Sequence, residues 1–308
     1  MKKIVLLFAV IVLVLCLGAC NREMQVDDGK INIVCTSHVV VDWVENLACG
    51  VENTNVTVLA DKGKDMHNFQ PSAADIKLAY SSDLLIYIGG QSDIWVSDML
   101  ENGNIENSLK LIEFIDGEHC DDCLDGHDHD HDEAPDEHIW LSFENTQACI
   151  SEISDALCEL DVENADTYRE NFEEYSSSVE ALKNEYVEAV KNAKYRTLVF
   201  ADRFPFVYLM NELELEYFAA FPGCSSETTA SFDTIITLAQ AVDEKALPCI
   251  LTIEDSTDGI AERVAEYVSG EVTILALDSM QIYKADEGFG YVDVMEENLE
   301  ILKMALGE

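Results

Sequence analysis

Residues 165–192, ADTYRENFEEYSSSVEALKNEYVEAVKN, put Tyr168, Phe172, Tyr175, Val179, Leu182, Tyr186 and Val190 at steps of three and four, with no Pro or Gly among them. That period marks one apolar stripe on a single long helix, which at about 1.5 Å per residue would cross a small domain. On both sides of it, apolar strands alternate with helical patterns. Upstream, strands are expected at Ile31–Cys35, Asn55–Leu59 and Leu84–Ile88, the last running into Gly89-Gly90. Helices are expected at Val41–Leu47 and Pro71–Tyr80, where Ser72 is a fitting cap. Downstream, the expected strands are Thr197–Ala201, Leu215–Phe218, Ile250–Ile253 and Val272–Leu275. Helical patterns there cover Phe206–Asn211, Phe232–Val242, Gly259–Val268 and Val292–Leu306. Such alternation reads as α/β with parallel sheets. The expected organisation is two (βα) sandwich lobes, 31–164 and 193–308, joined by a rigid helix over 165–192.

The 308 residues carry 18 Lys and Arg against 61 Asp and Glu, a formal charge of −43. A chain so poor in cations cannot replace phosphate counterions, so nucleic acid is excluded as a general partner. Docking on an anionic membrane through a basic patch is excluded for the same reason. A hydrophobic content of 48% is too high for a disordered acidic chain. Small cations are the natural partners.

The first residues change the compartment. Lys2 and Lys3 precede the uncharged run Ile4–Leu17, short of the about 20 residues that a membrane span needs. Leu17-Gly18-Ala19-Cys20 then resembles a bacterial lipobox. The expectation is a signal peptide over 1–19, lipidation of Cys20, and a polar tether over 20–30 that anchors an extracytoplasmic protein to the outer face of the membrane. Cys35, Cys49, Cys120, Cys123, Cys149, Cys158, Cys224 and Cys249 remain. Export permits disulfides, burial as free thiols is the alternative, and the pairing stays open.

Residues 119–138 hold five of the seven histidines, among them His127, His129 and His131 alternating with Asp128, Asp130 and Asp132. Like charges at this density favour a solvated loop, and imidazole with carboxylate suits capture of transition metals.

Two further segments carry a resemblance. Gly63-Lys64-Asp65-Met66-His67-Asn68-Phe69-Gln70-Pro71 and Asp136-Glu137-His138-Ile139-Trp140-Leu141-Ser142, in that order and flanking the His/Asp loop, resemble the ligand segments of metal-binding lipoproteins that serve zinc and manganese ABC importers. The resemblance extends from about Ile31 to Leu306. It implies a metal site between two lobes, with His67 and His138 as ligands and Asp278, at the end of a late strand, as another. Its third ligand is missing: the chain has no His beyond His138. Counting back from Phe206 and Tyr208 places Arg203 at that position, and a guanidinium cannot ligate. Asp202 is the obvious substitute, with an Asp202–Arg203 pair as the competing reading. His38, Cys224 and Glu227 are further candidates, and Glu254 is expected to support its lobe.

The implied function is a monomeric solute-binding protein that hands Zn2+, or Mn2+, to a membrane permease and its ATPase. A surface adhesin of the same fold is one alternative. An exported zinc hydrolase with Glu137 or Asp202 as base is another, weakened by the absence of a His-Glu-x-x-His pattern.

Overall fold

The structure, a computed structural model, describes residues 29–59, 63–103, 105, 107–115, 135–221, 230–282 and 290–308. Among the described residues, eight strands form two four-stranded parallel sheets. β1 (Ile31–Cys35), β2 (Thr54–Val58), β3 (Leu84–Tyr87) and β4 (Ser108–Lys110) take the order β2-β1-β3-β4. β5 (Thr197–Phe200), β6 (Glu216–Ala219), β7 (Cys249–Ile253) and β8 (Thr273–Leu277) repeat it as β6-β5-β7-β8. The α/β fold with two parallel sheets and a long connecting helix is the one expected.

Central strands covered on both faces read as unbroken apolar runs, because alternate residues feed different layers. Ile33, Cys35, Leu84 and Ile86 enter one core while Val34, Leu85 and Tyr87 enter another under the helices Ala73–Tyr80 and Ile94–Asn102. In the second sheet Leu198, Phe200, Leu251 and Ile253 face inward, and Val199 and Ile250 face a separate outer layer. The inner core is continuous. It runs from Trp43 through Tyr168, Val179, Leu182 and Tyr186 of the helix Ala165–Asn192 to Leu299 and Leu302 near the C-terminus. This 28-residue helix therefore buries its stripe in both lobes.

The helix Phe143–Leu160 was not expected, and the reason lies in its stripe: Thr146 and Ser154 are buried among Cys149, Ile150, Ile153 and Leu157. A buried Thr is legible only once its partner is known. Here Thr146 Oγ1 donates to the Tyr291 hydroxyl at 3.1 Å, from the other lobe. Ser37, Ser72, Ser142 and Ser231 each cap a helix through the side-chain oxygen, and Ser72 with Asp75 forms a capping box.

Of the cysteines, Cys35, Cys149, Cys158 and Cys249 are buried free thiols and Cys49 is an exposed one. Burial pushes the Cys149 and Cys249 thiols up to about 12, so neither forms the reactive thiolate at neutral pH. Cys20, Cys120, Cys123, Cys224, Glu227, His127, His129 and His131 lie outside the described residues.

Candidate metal centre

In parallel sheets, ligand groups gather beyond the carboxyl ends of the strands, where the strand order switches direction. Several polar residues follow that rule in both lobes. Thr36 to His38 follow β1, Gly89 to Asp93 follow β3, Asp202 and Arg203 follow β5, Glu254 follows β7 and Asp278 follows β8.

His67 sits in a 3-10 turn, Met66–Asn68, whose N-cap is Asp65. One oxygen, Asp65 Oδ1, accepts the His67 backbone N–H at 3.0 Å and lies 2.7 Å from its ring Nδ1. The second segment repeats the device: Asp136 Oδ1 accepts the His138 N–H at 2.8 Å and lies 2.6 Å from Nδ1. A carboxylate oxygen accepts, so each ring holds a hydrogen on Nδ1 toward its own Asp, and its Nε2 points the other way. The two rings stand 5.3 Å apart, centroid to centroid, tilted by 31°. His138 is held from behind by the edge of Trp140, at 5.2 Å.

Glu137 lies between these groups. Its Oε2 accepts the Ser92 N–H at 2.8 Å, and its Oε1 accepts the Ser92 hydroxyl at 2.9 Å. The same Oε1 is 3.2 Å from His67 Nε2. Gly90 permits this: a Cβ there would collide with the Glu137 side chain. Burial works to raise the Glu137 carboxyl, but the hydrogen bond with His67, the nearby imidazole charges and the Ser92 N–H outweigh it and bring it to about 2. Asp65 falls below the usual carboxylate range in the same way, with burial opposed by His67 and Arg203. Asp93 supports the turn, accepting from Ile88 N, Gly89 N and Thr36 Oγ1.

The second lobe closes over this from the other side. Arg203 Nη1 reaches Asp65 Oδ2 at 2.9 Å, so the Asp that orients His67 is itself gripped across the lobes. Asp202, 3% exposed, accepts the Arg203 N–H at 2.7 Å and the Ile253 N–H at 3.4 Å. Asp278 Oδ1 accepts the Met280 N–H at 2.8 Å, while Asn298 brackets the Asp278 backbone with two 2.8 Å bonds. Glu254 organises the following turn through Ser279 N and Oγ, both at 2.7 Å. Burial and the neighbouring Asp278 charge push Glu254 up to about 7. That turn meets both histidine segments: Met66 N donates to Gln281 O at 3.0 Å, and Trp140 Nε1 donates to Ser279 O at 2.9 Å.

The structure thus brings His67 and His138 together and sets Asp278 and Asp202 on the opposing lobe. His38 is buried at 2% exposure as the first residue of the helix His38–Leu47. Among the described residues, no group of three or more His, Cys, Asp or Glu side chains is arranged to hold an ion as it stands. What the fold supplies is matched pairs. Sequence reasoning missed Asp65 and Asp136 as orienting groups, although the Asp-x-His spacing occurs in both segments.

The family described as zinc-uptake complex component A, periplasmic, matches residues 33–305. The zinc-binding lipoprotein AdcA of Streptococcus pneumoniae is 27% identical over 316 aligned positions, covering 98% of this chain but 61% of that protein. The chain therefore spans about three fifths of the length of such streptococcal relatives. The high-affinity zinc uptake system protein ZnuA of Bacillus subtilis is 23% identical and is covered over 97% of both chains. Among solved structures, the Zn(II)-bound ZnuA-like domain of S. pneumoniae AdcA superposes with a TM-score of 0.73 at 23% identity, over 91% of this chain and all of that domain. With the match running across both sheets and the helix between them, the chain belongs to the family of the periplasmic component A of the zinc-uptake complex.

Proposed function

We propose that this protein is the extracytoplasmic solute-binding component of an ABC importer, capturing zinc and handing it, as a monomer, to a membrane permease served by an ATPase. The observation that carries this reading is the pair of Asp-x-His segments whose rings face each other at 5.3 Å where the lobes meet. Family membership supports it. His67, His138 and Asp278 are the proposed ligands, and Asp202 is the carboxylate that the sequence offers for a fourth place. Imidazole with carboxylate is a donor set that suits zinc and also accommodates manganese. The ion is cargo in this reading. A shell filled by protein donors leaves no position for an activated water, so the site binds and does not hydrolyse.

The His/Asp-rich stretch with His127, His129 and His131 is proposed to gather metal for the cleft. Deleting residues 126–133 should lower the total zinc stoichiometry measured by calorimetry on the mature chain, while one tight site survives. Disappearance of the tight site would transfer the binding function to that stretch. Cys20 is proposed to carry the lipid anchor after removal of residues 1–19. Cys20→Ala should release the protein from the membrane fraction of cells. Unchanged membrane association would remove the anchor from the proposal.

A further inference from the structure

Donor atoms that share a metal ion keep a fixed spacing, even before the ion arrives, if the fold holds them in place. Two imidazoles on one tetrahedral zinc, each bound through nitrogen at about 2.0–2.1 Å, have ring centres about 5 Å apart. His67 and His138 stand at 5.3 Å. A nitrogen and a carboxylate oxygen on the same ion are separated by about 3.3 Å. His67 Nε2 and Glu137 Oε1 are 3.2 Å apart. Asp65 takes Nδ1, so Nε2, which faces Glu137 Oε1 in the metal-free chain, is the nitrogen that would turn to metal once its proton leaves. Glu137, a neighbour of His138 in the chain, thus offers an oxygen at the spacing of a shared ion.

The carboxylate is also built into its place. Glu137 is 7% exposed, and Ser92 grips both of its oxygens, one through the backbone N–H and one through the hydroxyl. Gly90 leaves the space that its side chain fills. Orienting hydrogen bonds of this kind are what a metal-binding carboxylate needs around it. Asp202 is committed differently: its two oxygens accept backbone N–H groups of Arg203 and Ile253 inside its own lobe.

From this geometry we propose that Glu137 is a direct ligand of the transported ion, filling the fourth place beside His67, His138 and Asp278. The proposal rests on the reading of the cleft as a cargo site. It makes three of the four donors belong to the N-terminal lobe, with Asp278 completing the shell from the other side.

The test uses the mature chain loaded with half an equivalent of metal, so that only the tightest site fills. Zinc affinity is read by competition with a chromophoric chelator. Cobalt substituted for zinc reports coordination through its visible absorption. Glu137→Gln keeps the side chain's shape and should weaken zinc binding on the order of 100-fold, with the cobalt spectrum changing as another donor replaces the carboxylate. Ser92→Ala, which leaves the carboxylate but loosens it, should weaken binding by less. Unchanged or tighter binding by Glu137→Gln, with an unaltered cobalt spectrum, overturns the proposal. So does a zinc-loaded wild-type structure in which Glu137 Oε1 lies well beyond about 2.0–2.2 Å from the ion, a reading that needs no variant. Failure of the cleft reading itself is distinguishable: tight binding would then survive His67→Ala and His138→Ala as well.

Discussion

Zinc added to the metal-free mature chain should raise its melting temperature on the order of 10 °C. An ion that binds only the folded state, at a thousand times its dissociation constant, stabilises by about 4 kcal/mol. For a domain of this size each kcal/mol is worth about 2–4 °C. The gain depends on the fold because the ligand segments are far apart in the chain: His67, His138 and Asp278 each follow a different strand or loop. His67→Ala and His138→Ala should therefore each abolish most of the shift. Truncation removes an imidazole that a half-buried Asp has already oriented, and the unfolded chain has no such site to lose. His38→Ala should reduce the shift less, since His38 heads a helix within the N-terminal lobe. Differential scanning calorimetry with and without zinc reads all three. A full shift retained by both His67→Ala and His138→Ala would place the tight site elsewhere.

Replacing Trp140 by Ala should cost about 3–5 kcal/mol of stability in the metal-free chain. Trp140 has no exposed surface and belongs to the core shared by both lobes. Its ring backs His138, and its indole N–H donates to Ser279 O, next to Asp278 in the facing lobe. Truncation therefore opens a cavity and cuts a bond between the lobes at once. Trp140→Phe separates the two effects. It keeps an aromatic ring and leaves the Ser279 carbonyl without its donor, which should cost about 1–3 kcal/mol. Urea unfolding followed by circular dichroism measures both. If Trp140→Phe unfolds at the wild-type midpoint, the cross-lobe bond contributes nothing. A small loss for Trp140→Ala would mean that the core collapses around the gap.

Local chemistry made much of this protein readable before any coordinates. Period-two and period-3.6 patterns report which faces are apolar, and burial then follows. Six of the seven stripe positions of the connecting helix are buried, the exception being the half-buried Phe172. Continuous apolar strands announced sheets covered on both faces, and His67 and His138 were singled out by the resemblance of their segments to known ligand segments. Even the Asp-x-His device was open to inspection, since it operates within three residues. Other features had no signature of that kind. Arg203 grips Asp65 across 138 positions of chain, Trp140 bonds to Ser279 across 139, and Glu137 meets Ser92 across 45. A residue's type states what it can donate or accept, and not which group will stand opposite it. Counting along the resemblance brought Arg203 to a ligand's place, with Asp202 as the substitute and an Asp202–Arg203 pair as the competing reading, whereas packing of the lobes turns the guanidinium toward Asp65. Periodicity determined the layers of this protein because hydrophobic burial needs only a face. Tertiary structure alone decided the neighbours of its buried charges, because a hydrogen bond needs a particular partner at a particular distance.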